Sequence, residues 1–272
     1  MALICAYPMY QMPELEPAVS AWWQGLRQHL VNQGLNDGDL PKLLIKPEDY
    51  YAHWRNPTLL LSQTCGFPLT HELHNQVQYV ATQSYQTAYT KGPTYCSLVL
   101  VHKTNSANHI SQLKHTRLAV NSDDSQSGYH ALRRFIAPLA GNERFFSEVV
   151  HSGSHRQSMA LVASREADVC AVDCVTYGLL QRHAPATVAN LRVLTVTQSA
   201  PGLPYVTSLA TSPATLIKLR GSLAAAALDP ALKSIRQQLL MGPVEVIEGL
   251  SPYQEIINQA EQANALGYRQ LV

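Results

Sequence analysis

Ser125, Gln126, Ser127 and Gly128 are the residues of this chain best suited to holding an anion. They follow a short apolar run, Leu118–Val120, and precede a helical pattern, Tyr129–Ala140. A strand that hands over to a helix through such residues places hydroxyls and backbone N–H groups at a helix start. There the unpaired donors and the positive end of the helix dipole favour negative charge. Glycine lets a ligand come close to the backbone. A tetrahedral oxyanion suits this donor set. Ser, Asp and Asn are also the common helix caps, so the segment taken alone reads first as an ordinary capped helix.

Four further polar clusters stand where a strand pattern gives way to a helix or turn. Tyr7-Pro8-Met9-Tyr10 follows the opening run, and Gln63-Thr64-Cys65-Gly66-Phe67 follows Thr58–Ser62. Ser152-Gly153-Ser154-His155 precedes a helix, and Asp173 ends the run that begins at Val169. In open α/β sheets, ligands bind at such strand ends. His155 and Asp173 carry the strongest chemistry of the set, although Asp173 also reads as a cap for a helix near Thr176. Cys65 and His155 are the evident candidates for a nucleophile and a base, should the chain be an enzyme. His71-x-x-His74 has helix-face spacing for a metal but lacks a third ligand, so these read as surface histidines and no metal site is expected.

The elements that must position these groups alternate. Strand patterns fall at Leu3–Tyr7, Leu43–Ile45, Thr58–Ser62, Val77–Ala81, Cys96–His102, Leu118–Val120, Val169–Asp173 and Leu191–Val196. Helical patterns fall at Pro17–Gly34, Tyr129–Ala140, Arg156–Arg165, Thr176–Arg182, Ala214–Leu228, Pro230–Leu240 and Pro252–Leu266. This alternation predicts an α/β fold with mixed, mostly parallel sheets. The runs Tyr95–His102 and Leu191–Thr197 bracket a section of domain size. The expected organisation is two lobes joined by two crossovers, near 95–102 and 191–197. Residues 1–94 and 198–272 would form the first lobe and 95–197 the second, with the ligand in a cleft between them.

Composition limits the function classes. The 272 residues carry 20 basic and 19 acidic side chains, for a net charge of +1. With no basic stripe, nucleic acid is not an expected partner. No apolar run approaches the roughly 20 residues needed to cross a bilayer. The five cysteines form no C-x-x-C pair and mostly lie in apolar runs, which reads as free buried thiols. The opening residues read as a first strand rather than a secretion signal. A cytoplasmic location is expected if that is the native start, and a periplasmic one if a leader has been removed.

The ordered set Ser-x-Ser-Gly-Tyr at 125–129, Ser-Gly-Ser-His at 152–155 and Ala-Val-Asp at 171–173 resembles the PhnD-like phosphate/phosphonate-binding components of ABC transporters. Tyr95–Val101, Ile110–Lys114, Leu191–Leu194 and Pro201–Tyr205 are similar to further segments of that family. The resemblance implies a type II periplasmic-binding fold and a solute-binding, non-catalytic role. It also implies a small phosphonate-, phosphite- or phosphate-ester-like ligand, no cofactor, a monomer, and an ABC permease as partner. Ser125, Gln126, Ser127 and Gly128 would hold the phosphoryl oxygens. His155 would donate from a second helix start, Asp173 would face the other end of the ligand, and Tyr7, Tyr10 and Tyr95 would close the pocket. Arg156 stands where an acid would hold a ligand amine, which argues against an aminophosphonate. The alternative readings are an enzyme or a ligand sensor on the same fold.

Overall fold

A computed structural model describes residues 2–141, 143–247 and 251–271. In chain order the elements are β1 (Ile4–Ala6), α1 (Glu16–Asn32), α2 (Tyr50–Trp54), β2 (Leu59–Gln63), α3 (Gly66–Thr70) and β3 (Val77–Tyr85). Next come β4 (Thr94–Tyr95), β5 (Ser97–His102), β6 (Arg117–Val120), α4 (Ala131–Ala140), β7 (Glu148–His151), α5 (His155–Ala163) and β8 (Val169–Asp173). The chain continues through α6 (Cys174–His183), β9 (Leu191–Val196), β10 (Ala200–Pro201), β11 (Pro204–Ser208) and α7 (Pro213–Leu228). It ends with α8 (Lys233–Gln238), β12 (Met241–Glu245) and α9 (Gln254–Ala265).

The chain forms two compact units. Unit 1 comprises Met1–Gln86, Lys91–Pro93 and Pro201–Pro252. Its sheet runs β1-β2-β11-β3-β12. Strand β1 pairs parallel with β2, and β11 runs antiparallel to both β2 and β3. All five residues of β2 are buried, so both faces of the sheet are covered there. Helix α1 places Trp22, Trp23, Leu26 and Leu30 in the core at helical spacing and packs on α7 and α8.

Unit 2 comprises Thr87–Thr90, Thr94–Ala200 and Tyr253–Val272. Its sheet runs β7-β6-β8-β5-β9. Strand β6 is parallel to β7 and β8, whereas β5 is antiparallel to β8 and β9. Its core joins Val99 and Val101 of β5, Leu118 and Val120 of β6, and Val169 and Ala171 of β8 to Leu132 and Ile136 of α4. Ala263, Tyr268 and Leu271 of the final segment complete it.

The α/β layering and mixed sheets match the expectation, with more antiparallel pairing than predicted because β5 and β11 reverse between their neighbours. The boundaries differ more. Residues 97–102 and 191–196 are paired strands of one sheet rather than crossovers, β5 inside it and β9 at its edge. The chain passes between units around residues 86–94 and 200–201, and a third time at 252–253. Residues 253–272 therefore belong to unit 2 and not to the first lobe. Leu43–Ile45 forms no strand; the Ile45 N–H makes a single bond to the Cys5 carbonyl at 2.9 Å.

Arg133 supplies the physical reason for the placement of the C-terminal segment. It is 3% exposed on α4. Its guanidinium donates to Asn264 Oδ1 (2.7 Å) and to the carbonyls of Ala260 (3.1 Å), Tyr268 (3.1 Å) and Arg269 (3.0 Å). These acceptors close the C-terminal end of α9, where helix carbonyls lack intrahelical partners. Arg133→Leu leaves several of them buried and unpaired. It should lower unfolding stability by about 3 kcal/mol in urea titrations.

Candidate functional site

The parallel pairing of β6 with β7 and β8 brings the C-terminal ends of all three strands to one edge of the unit 2 sheet. Strand β6 ends at Val120 and leads through Asn121 to Ser125. Ser125 caps a wide turn, Gln126–His130, which feeds α4. Its Oγ accepts from the Gly128 N–H at 3.0 Å, and its carbonyl accepts from the Tyr129 and His130 N–H groups at 3.1 and 3.0 Å. Single wide turns of this kind recur at functional sites. Ser125 and Gly128 are thereby engaged in building the turn. The Ser127 N–H lies ahead of the first closed turn, where a helix leaves its donors unpaired.

His155 opens α5 after the Ser154 cap. Its Nε2 lies 3.0 Å from Ser127 Oγ and 3.5 Å from Asp173 Oδ2. Its Nδ1 is buried without a hydrogen-bond partner. Burial pulls the His155 pKa below its ordinary value, and the nearby Asp173 charge opposes that only in part. The ring is therefore neutral at pH 7. Asp173 ends β8 and caps α6, its Oδ1 accepting from Val175 N–H (3.1 Å) and Thr176 N–H (2.8 Å). Its side chain is 5% exposed. The register that sets Ser97 opposite Asp173 puts Tyr95, buried just ahead of β5, at this same edge.

Clearance explains Gly128. A Cβ there would overlap the Asn121 amide oxygen and lie 3.1 Å from His155 Cε1. The turn, the end of β6 and the histidine thus meet at a point where only hydrogen fits. Asn121 Oδ1 is buried and unpartnered at this contact.

The Gln126 side chain points away from Ser127. Its Nε2 donates to Gln259 Oε1 at 3.2 Å, and Gln259 Nε2 donates to Glu255 Oε1 at 3.1 Å. Gln198 Nε2 donates to the same Glu255 oxygen at 3.2 Å. Among the expected site residues, the structure gathers Ser125, Ser127, Gly128, His155 and Asp173, with Tyr95 on their edge and the Gln126 amide spent on α9. Tyr7 and Tyr10 belong to unit 1. Tyr7 packs edge-on against Tyr205 at 5.7 Å and Tyr10 against Tyr85 at 5.1 Å, in a tyrosine cluster that Gln63 joins through its 3.2 Å bond to the Tyr85 hydroxyl. Burial raises the Tyr7 pKa well above its ordinary value. Asn121 and Gln259 are the residues the sequence reading missed. Asn121 carried a signal, being the first polar residue after β6; Gln259 carried none.

Serine, histidine and aspartate in contact invite comparison with a hydrolytic triad. In that relay the serine and the carboxylate engage opposite ring nitrogens. Here both face Nε2, and Nδ1 has no partner. The arrangement is a set of hydrogen-bonding groups converging on one place, not a proton relay. Among the described residues, no group of three or more His, Cys, Asp or Glu side chains is arranged to hold a metal. His71 instead stacks on Phe67, with ring centroids 3.7 Å apart.

The chain matches the family model described as the periplasmic substrate-binding protein of phosphonate ABC transporters over residues 59–248. No curated protein matches it. Among solved structures it is similar to PhnD1 of Prochlorococcus marinus in complex with methylphosphonate. The TM-score there is 0.72 at 18% identity, covering 97% of this chain and 98% of that one. A binding-protein component of a Pseudomonas aeruginosa ABC phosphonate transporter gives 0.71 at 14% identity, covering 98% and 97%. A Xanthomonas citri protein bound to ATP gives 0.70 at 15% identity, covering 97% and 99%. These likenesses establish the type II periplasmic-binding fold.

Two outcomes follow from the geometry. The unfolded chain protonates His155 near 6.5, whereas the folded chain resists until lower pH. The neutral ring thus contributes to stability above about pH 6.5, and that contribution is lost as pH falls. NMR of the ring Cε1–H should give a midpoint below 6.5 in the free protein and a higher one once an anion is bound. Gln259→Leu should weaken anion binding by about tenfold through the Gln126 turn, read by titration calorimetry, whereas Gln198→Leu at the outer end of the chain should have less effect.

Proposed function

Because the chain belongs to the periplasmic substrate-binding proteins of phosphonate ABC transporters, we propose that the Ser127–His155–Asp173 edge of unit 2 holds the phosphoryl group of its solute. The family is one of solute-binding transport components, delivering to a permease, rather than of enzymes. One observation carries the assignment. Buried His155 Nε2 lies 3.0 Å from Ser127 Oγ and 3.5 Å from the Asp173 carboxylate, and His155 itself opens a helix.

The electrostatics define the ligand class. The hydroxyl, the neutral imidazole and backbone N–H groups can all donate to anionic oxygens without a buried cation. The Asp173 carboxylate accepts but cannot donate. Beside an anion it is tolerated where the ligand brings a proton of its own, which a singly protonated phosphonate or phosphate does. A sulfonate has no such proton at neutral pH and leaves two like charges facing each other. The proposal is therefore selective capture of a small, singly protonated phosphonate- or phosphate-type anion, with Tyr95 against its substituent. The reading carries a periplasmic location for the mature protein.

Titration calorimetry with methylphosphonate, inorganic phosphate and methanesulfonate tests this reading. Binding of methylphosphonate or phosphate is expected, with methanesulfonate at least tenfold weaker. Ser127→Ala and His155→Ala should each weaken binding by tenfold or more, equivalent to about 1.4 kcal/mol, while thermal unfolding still shows a cooperative transition. Absence of heat and of thermal stabilisation with every phosphorus anion overturns the assignment.

A further inference from the structure

Cys96 and Cys174 meet at the mouth of the β5–β8 pair. The antiparallel register sets Ser97 opposite Asp173. One step beyond, Cys96 and Cys174 are opposite each other, and the Cys174 N–H donates to the Cys96 carbonyl at 3.0 Å. Opposed antiparallel residues have Cα atoms about 4.5–5.5 Å apart, within the span of about 4.4–6.8 Å that disulfides bridge. Cys96 Sγ also reaches the Tyr89 carbonyl at 3.8 Å. The pair is buried, at 6% and 0% exposure. The remaining cysteines lack this arrangement: Cys170 sits opposite Leu100 in the ladder, and Cys5 and Cys65 belong to unit 1.

We propose that Cys96 and Cys174 are a cross-strand disulfide site, closed when the chain folds in an oxidising compartment. The oxidant is a disulfide of the glutathione class. The Cys96 thiolate attacks one of its sulfurs, forming a mixed disulfide and expelling one thiolate. The Cys174 thiolate then attacks Cys96 Sγ and expels the second. Two protein thiols are oxidised, one disulfide is reduced to two thiols, and the two protein protons end on the released sulfurs. Burial of the folded pair places the exchange before this edge of the sheet closes, and protects the bond afterwards. The link ties the entry to β5, next to Tyr95, to the start of α6, next to Asp173. It stands independently of the ligand assignment.

The test refolds the full chain from urea with glutathione disulfide, and in parallel with dithiothreitol. Free thiols are counted after denaturation, and linked peptides are mapped without reduction. Oxidative refolding should leave three free thiols, one Cys96–Cys174 peptide pair and native circular dichroism. The unfolding temperature should rise by about 5–10 °C, because the closed loop is long. Cys96→Ser and Cys174→Ala should each keep four free thiols and show no shift. Cys170→Ala should retain the link, which keeps the test decisive if either of the former fails to fold. Five free thiols after oxidative refolding, a link between any other pair, or a linked chain without native circular dichroism overturns the proposal.

Discussion

The parallel alignment of β6 with β7 and β8 is the constraint from which the site follows. Three strands that run the same way release their chains at the same edge, and each release point is a helix start or a turn. Ser125, Ser154 and Asp173 are all N-caps on that edge. The interactions that terminate the strands also orient the polar groups, so a shift in register of any one strand would move its cap away from the others. Hydrophobic burial enforces that register. Leu118, Val120, Val169 and Ala171 all turn to the face covered by α4, and a one-residue slip would turn them to the other side.

Within that frame, the chemistry depends on keeping His155 uncharged. A buried imidazolium beside Asp173 would form an ion pair and spend its donor on the carboxylate. Desolvation wins over the carboxylate's attraction, so the ring stays neutral. The result is a cluster of neutral donors beside one carboxylate; under the proposed assignment, an arriving anion favours the charged ring. Binding and proton uptake are thereby linked.

The local parts of this arrangement were legible in the sequence because capping is local chemistry. Ser125, His155 and Asp173 each sit one to four residues from the strand or helix that defines them. Several strands were not legible. Strand β11 opens on Pro204, β12 contains Gly242 and Pro243, and β7 is short and half-exposed, so each lacks the alternating or continuous apolar pattern that marks a strand. The C-terminal segment was misplaced for a different reason. Its tether is Arg133, a charged residue more than a hundred positions earlier, and its burial against carbonyls leaves no trace in periodicity. The Gln126–Gln259 bond spans a similar distance. The pocket-closing role of Tyr7 and Tyr10 comes from the family resemblance, and their edge-on packing on Tyr205 and Tyr85 is a tertiary contact that no local pattern announces.

Gly128 carries a consequence for how this protein can change over evolutionary time. Its backbone does not need the left-handed conformation that usually fixes a glycine. The position is held by its neighbour: the Asn121 side chain fills the space a Cβ would take. A side chain at 128 therefore needs the Asn121 amide to swing aside or a smaller residue at 121, and it also presses on the His155 ring. The two positions are therefore coupled: the room for change at 128 is set by what stands at 121.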